Sequence, residues 1–525
     1  MDPIAASCIS LYTTDAYKET SDTKETFQST FSISKYESKS LKSLWPQIFA
    51  AVIAASFHIG NGISMAYSAV LIAQLDQPDS EIKPTQTEKA WMASVLIIVV
   101  PVASIACGFL MDGVGRLNTI KIAGIPGIIG WCMCAMANNI PVIIFGRLLV
   151  GLASAWGTSP AIVYISEIAH TDLRGSLMSV APLYVSLGMV ITYFLGYIMH
   201  WRALAWLCNV SVLIPCLMCV LIPESPSWLI WKGKNDQAKK SVNWFNKNQP
   251  KPNDKAETVA EMHFRLLQDE QEKKNEEAAK KGKKGASAII KEFLKPTGYK
   301  PLIFFVGLFI CQHFSGIYIT MFYSIQFIEA AGTSINGYFA SILIGVVRFA
   351  MSMVSTVLLK KHKRRTLMFI SSSGMAVCMF LSGLFTQWIQ EGKTTMTWLP
   401  VACILLYVVT SIIGVLPIPN MLLAELFPLE IRGTGYSIGY SICCMIMFSA
   451  LQSYYTLSNM LGGAKNLQWF FSVTCLGALV YSYIFLPETK GVKLTDINTY
   501  FKHQSVYIGS HKKKRLEETD NNNRV

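Results

Sequence analysis

Apolar residues fall in long, nearly charge-free runs along this chain, and one long polar stretch divides the runs into two groups. Most runs reach about twenty residues, the length a helix needs to cross a bilayer. In lipid the backbone must satisfy its own hydrogen bonds, so the pattern predicts helices. The first group gives helix 1, Trp45–Ala73; helix 2, Ala90–Met111; helix 3, Thr119–Ala137; helix 4, Val142–Ile165; helix 5, Leu177–Met199; and helix 6, Arg202–Ile222. The second gives helix 7, Pro301–Ile328; helix 8, Tyr338–Leu359; helix 9, Leu367–Trp388; helix 10, Trp398–Leu423; helix 11, Thr434–Leu457; and helix 12, Gln468–Leu486. The expected fold class is an all-α integral membrane protein with twelve transmembrane helices in two six-helix bundles.

The bundles are expected at 45–222 and 301–486, with tails at 1–44 and 487–525. Residues 1–44 are Ser/Thr-rich and of mixed charge, the composition of a disordered tail. No basic region followed by an apolar core precedes helix 1, which is expected to act as its own signal anchor. In the polar linker 223–300, Ala238, Val242 and Phe245 form one apolar stripe and Val259, Met262 and Leu266 another. Such stripes predict short amphipathic helices. Asp269–Lys284 is dominated by Lys and Glu and reads as solvated.

The two groups repeat the same signals in the same order. Tyr164–Gly175 answers Leu422–Gly433, and Arg174 follows Glu167 at the interval at which Arg432 follows Glu425. Pro223-Glu224-Ser225 closes the first group as Pro487-Glu488-Thr489 closes the second. A membrane chain of two related halves has the build of a secondary transporter.

Composition agrees with a membrane chain: 52% hydrophobic, 15% charged, mean hydropathy +0.37. The formal charge of +13 raises the question of nucleic acid. Lys and Arg cluster instead in alternate loops, as the positive-inside rule predicts, with both termini cytosolic. Lys512–Arg515 extends this basic character into the tail, where solvent or anionic lipid is the expected neighbour. Most of the 13 cysteines, such as Cys132, Cys208, Cys311, Cys443 and Cys475, lie in the apolar runs, which argues against a disulfide framework. No Cys/His spacing reads as zinc. No phosphate-binding Gly-Lys-Ser/Thr loop and no nucleophile–base set stands out, so neither an enzyme nor an ATP-driven pump is expected.

Gly108–Arg116, Gly146-Arg147, Glu167–Gly175, Pro223–Leu229, Gln312–Gly316, Pro417-Ile418-Pro419, Glu425–Gly433 and Pro487–Gly491 follow one another in this order. In these the chain resembles the sugar porter family of the major facilitator superfamily, closest in style to insect-type trehalose and hexose facilitators. The resemblance implies the major facilitator fold, alternating access between two six-helix halves, a plasma-membrane location, a sugar as small-molecule partner and no cofactor. It also implies gating charges at the inner surface: Asp112, Arg116, Glu167, Arg174, Glu425 and Arg432. Arg147 in helix 4 and Pro417 and Pro419 in helix 10 match further family positions tied to gating.

The resemblance puts the substrate site mainly in the second half. Gln312 and Ser315 match it, and Tyr323 keeps an aromatic match. His313 and Tyr318 replace amides, Arg348 stands for an asparagine in helix 8, and Asn420 for a tryptophan in helix 10. Cys443-Cys444 replaces Asn-Trp, and Lys360–Arg365 lacks the usual Asp and Gly. Amides offer donors and acceptors together to sugar hydroxyls. Gln312, His313, Ser315, Tyr318, Tyr323, Arg348 and Asn420 are the expected substrate-binding set. Arg348 falls near the middle of helix 8, where an arginine costs about 2.5–3.5 kcal/mol unless it meets water or a partner. No Asp or Glu lies at comparable depth in the expected helices. Ser64 stands where proton-coupled members carry a carboxylate. The first expectation is therefore facilitated diffusion of a hexose or trehalose-like sugar. A transporter of a small organic anion held by Arg348, or a non-transporting sugar sensor, are the alternatives.

Overall fold

The computed structural model describes residues 40–250, 257–281, 292–423, 425–428, 431–490 and 501. The tail readings for 1–39 and for Lys512–Arg515 lie outside these residues, as does the end of the Asp269–Lys284 run. The described residues are helical, with no strand among them. They form two compact units, one from the described parts of Met1–Phe49 and Pro223–Lys283, the other from Ala50–Ile222 and Lys284–Val525.

In the first unit, Pro226–Trp231 starts at Ser225, whose hydroxyl accepts the Trp228 N–H. Asn235–Phe245 buries Ala238, Val242 and Phe245, the stripe read from the sequence. Ala238 packs with Trp228, Leu229 and Ile230, against Phe264 and Leu267 of Val259–Lys281. Thr258 and Glu261 cap that last helix reciprocally. The Thr258 N–H and hydroxyl hold the Glu261 carboxyl below the usual carboxylate range.

Among the described residues, 11 helices are long and apolar enough to span a membrane: Leu41–Leu75, Gln86–Val114, Arg116–Ala135, Ile140–Ile168, Leu173–Ile198, Trp201–Met218, Gly337–Lys361, Arg364–Gln390, Leu399–Leu423, Gly433–Gln452 and Ala464–Phe485. These are helices 1–6 and 8–12. Helix 7 is present in three pieces, Pro296–Phe314, Ile319–Phe322 and Ser324–Ala330. Its apolar run is therefore shared among segments, each too short or too polar to stand as a span. The chain turns at Ser315–Tyr318, where Gly316 has φ +91°, a conformation that side chains with a Cβ resist.

Helix 10 breaks at the matching place. Leu399–Ile413 stops before Gly414–Pro417, and Ile418–Leu423 resumes. Leu416 N–H reaches back to Ser411 O (3.0 Å), a wider loop than an α-turn closes. Pro417 and Pro419 offer no N–H to restore the ladder. Irregular backbone at membrane depth is tolerated where protein buries it or a cavity lies beside it.

Close crossings set each half. A Cβ on Gly130 would meet Gly146 O at 2.6 Å, so helices 3 and 4 touch backbone to backbone. Gly151 meets the Leu96 backbone in the same way, and Gly157 makes room for the Phe57 ring. The halves meet along helices 5 and 8 and along helices 2 and 11. The connections 1–2, 3–4, 5–6, 7–8, 9–10 and 11–12 share one end of the bundle, termed the odd-loop end; the opposite is the even-loop end.

Candidate functional site

The breaks in helices 7 and 10 are joined by one side chain. Gln312 is buried, and its Nε2 donates to the carbonyls of Val415 (2.9 Å) and Leu416 (3.1 Å). Carbonyls freed by the helix 10 break thus gain a donor. Gln312 Oε1 has no hydrogen-bond partner among the described residues. Asn420 lies one turn beyond Leu416, half-buried, and its Oδ1 is also without one.

His313 is fully buried, with Nε2 3.2 Å from Cys443 Sγ. Its ring lies between Phe309 and Tyr318, the Tyr318 centroid 4.9 Å away. Its Nδ1 is unpartnered. Ser315 sits in the turn, its hydroxyl on Gln312 O (2.7 Å) and its carbonyl accepting from Tyr407 (2.9 Å). Arg348 is buried at the contact of helices 5 and 8, with NH1 2.6 Å from the Met321 thioether and Nε unpartnered. One turn further, Ser352 meets Ser186 of helix 5 at 3.0 Å, and Tyr193 donates to Met321 O at 2.7 Å.

The structure thus brings Gln312, His313, Ser315, Tyr318 and Asn420 around the two breaks, with Arg348 beside them on Met321. Tyr323 belongs elsewhere. Its hydroxyl donates to Leu451 O (3.1 Å) and its ring stacks on Tyr454 at 4.5 Å.

That aromatic group is part of a closure between the halves at the odd-loop end. Asn459 Nδ2 donates to Gln86 Oε1 (2.8 Å), Ser94 to Gln452 Oε1 (2.8 Å) and Gln326 Nε2 to Ala69 O (3.0 Å). Trp91 packs on Phe448, and Lys89, paired with Asp76, lies over the Tyr455 ring. None of these residues except Tyr323 stood out in the sequence. Single Gln, Asn and Ser side chains on helices carry no pattern that reveals a partner in the other half.

In the first half, Arg147 is fully buried and ties three helices together. Its Nε donates to Met92 O (2.6 Å), and NH2 to Ser64 O (3.1 Å) and to the Ser68 hydroxyl. Its guanidinium lies 5.6 Å from the Tyr67 ring centroid. Ser64, the position lacking a carboxylate, meets Arg147 through its carbonyl.

A family model described as sugar (and other) transporter matches residues 48–501. The chain belongs to this family. A facilitated trehalose transporter of Polypedilum vanderplanki is 27% identical over 86% of this chain and 88% of that protein. Trehalose transporter 1 of Drosophila melanogaster is 28% identical over 86% of this chain and 52% of its own length, so the chain spans about half of that relative. The inward-open structure of the xylose transporter XylE from E. coli covers 86% of this chain and 99% of its own at TM-score 0.68 and 19% identity, a likeness that speaks for the fold. The major facilitator fold, its multi-pass membrane character and a non-enzymatic role follow.

At the even-loop end of this family member, the Arg116–Glu167 and Arg364–Glu425 pairs each lie within one half. Arg116 grips Glu167 through Nε and NH2 (2.9–3.2 Å), and its NH1 donates to Met111 O. Arg364 NH2 takes Glu425 at 2.8 Å, and Glu488 accepts the backbone N–H groups of Arg364 and Arg365 at the start of helix 9. Asp112 and Arg174 are exposed, and the Arg432 side chain lies outside the described residues. Arg364 was missed because the Lys360–Arg365 turn reads as undifferentiated positive charge. Only the fold shows that one of its arginines faces Glu425. Arg116→Ala is expected to lower stability by about 1–2 kcal/mol, seen as a fall of a few degrees in the melting temperature in detergent.

Proposed function

We propose that this chain is a facilitative sugar transporter, a uniporter for a hexose or a trehalose-like disaccharide, working by alternating access without covalent chemistry. The family match over residues 48–501 carries this reading. The facilitated trehalose transporters among its relatives supply the substrate class. Gln312, His313, Ser315, Tyr318, Arg348 and Asn420 are the proposed substrate contacts, grouped where helices 7 and 10 break. Broken helices at the bilayer midplane are a common way to build a transporter site. Tyr323 is reassigned to the odd-loop closure.

Asp112, Arg116, Glu167, Arg174, Glu425 and Arg432 are the proposed even-loop charge set, to which Arg364 is added. Arg147, Pro417 and Pro419 set the geometry of helices 1, 4 and 10. The even-loop end, with Lys360, Lys361, Lys363, Arg364 and Arg365, is the proposed cytosolic face of a plasma-membrane protein, with both termini on that side. Ser64 facing Arg147 leaves no carboxylate to carry a proton there, which favours uniport. Counterflow into proteoliposomes preloaded with glucose or trehalose tests this. Saturable entry of labelled sugar, unchanged by a proton ionophore, is expected. Ionophore-sensitive uptake would overturn uniport, and the absence of sugar entry would overturn the transport reading.

A further inference from the structure

Among the described residues, Gln312 Oε1 and Asn420 Oδ1 are acceptors without donors, and Arg348 Nε is a donor without an acceptor. Buried polar groups in this state are costly unless something completes them. The two carbonyl oxygens suit hydroxyl groups. The arginine asks for more than a hydroxyl. Its NH1 is taken by Met321, so the free edge of the guanidinium is the Nε–NH2 side. That edge presents two parallel N–H donors, the geometry that grips one carboxylate in a bidentate pair. Arg348 makes no ion pair among the described residues. A lysine there would offer a point charge without the fork.

Resting on the transporter reading above, we infer that the substrate class of this site is an acidic monosaccharide, a hexuronate. Its ring hydroxyls complete Gln312 and Asn420, and its carboxylate completes the Nε–NH2 edge of Arg348. A single negative charge balances the Arg348 cation. A phosphate dianion would need a second cation, and Arg147, the other arginine buried in the membrane region among the described residues, already has Nε and NH2 bound to Met92, Ser64 and Ser68. The rings of His313 and Tyr318 lie 4.9 Å apart, and Tyr318 precedes by three residues Met321, whose thioether Arg348 NH1 meets.

Proteoliposomes with purified full-length protein test this with labelled D-glucuronate, D-glucose and lactate in parallel. Saturable glucuronate counterflow is expected, with net uptake moving one negative charge per cycle and so responding to membrane potential. Arg348→Gln should cut the glucuronate-to-glucose rate ratio by about tenfold or more, and Arg348→Lys should give an intermediate ratio. Melting temperatures of both variants check that they fold; if the Gln variant does not, the Lys variant carries the comparison. Glucose counterflow without glucuronate counterflow would overturn the inference and leave the sugar facilitator standing. Lactate moving as well as glucuronate, or an unchanged ratio in a folded variant, would also overturn it. Counterflow of no sugar at all would sink both readings.

Discussion

Tethering position 86 to position 459 should stop transport. Gln86 and Asn459 come from opposite halves, and their side chains are hydrogen-bonded at 2.8 Å. Cysteines at both positions, joined by a short, reducible bis-thiol cross-linker, would hold the odd-loop end shut. Exposing the site to that side requires this contact, Ser94–Gln452 and Gln326–Ala69 to part together. Each bond is partly exposed and contributes about 1 kcal/mol, so the closure is held by a few kcal/mol and can open in the cycle. A covalent tether removes that option. Counterflow is expected to fall to background on cross-linking and to return on reduction, while either single-cysteine variant keeps its rate. Full transport in quantitatively cross-linked protein would mean that the contact does not open during the cycle.

The membrane helices were legible because lipid demands long apolar runs; several observed spans begin a few polar or capping residues before the expected ones, whereas helices 6 and 11 end earlier, at Met218 and Gln452. Helix 2 begins at Gln86 rather than Ala90 because Thr85 and Glu88 form a capping box ahead of the apolar run. The break in helix 7 was not foreseen as a break. Gln312–Gly316 was recognised as a sequence match, but hydropathy does not register a turn inside an apolar run. Only the positive φ of Gly316 and the three helix pieces reveal it. Among site residues, Gln312 and Asn420 do share a neighbourhood, because the two breaks face each other. Tyr323 does not join them: one residue past the Ile319–Phe322 piece its ring turns to Tyr454 instead. The repeated Glu and Arg positions were visible, yet the pairs shown, Arg116–Glu167 and Arg364–Glu425, join different loops. Sequence spacing finds neighbours along a helix and is blind to partners across it.

Gly62→Ala should be the most damaging small substitution in the first half. A Cβ at Gly62 would lie 1.9 Å from Val185 O and 2.7 Å from its carbonyl carbon. The crossing is reciprocal, since a Cβ at Gly188 would lie 2.1 Å from Ile59 O. These obstacles are backbone, so no rotamer change relieves them, and helices 1 and 5 must move apart. Overpacking a tight core typically costs about 1–3 kcal/mol, and with two backbones in direct contact a loss of ~3 kcal/mol is expected. The site feels it too. Ser64 and Ser68 follow Gly62 on helix 1, and both receive Arg147. Pushing helix 1 outward lengthens those bonds and loosens the tie among helices 1, 2 and 4. Gly477→Ala supplies the control, because nothing lies within 4 Å of the Cβ it would add. Thermal unfolding in detergent should show a large drop for Gly62→Ala and almost none for Gly477→Ala, with counterflow lost only in the former. Equal melting temperatures for the two would mean that helices 1 and 5 do not cross this closely.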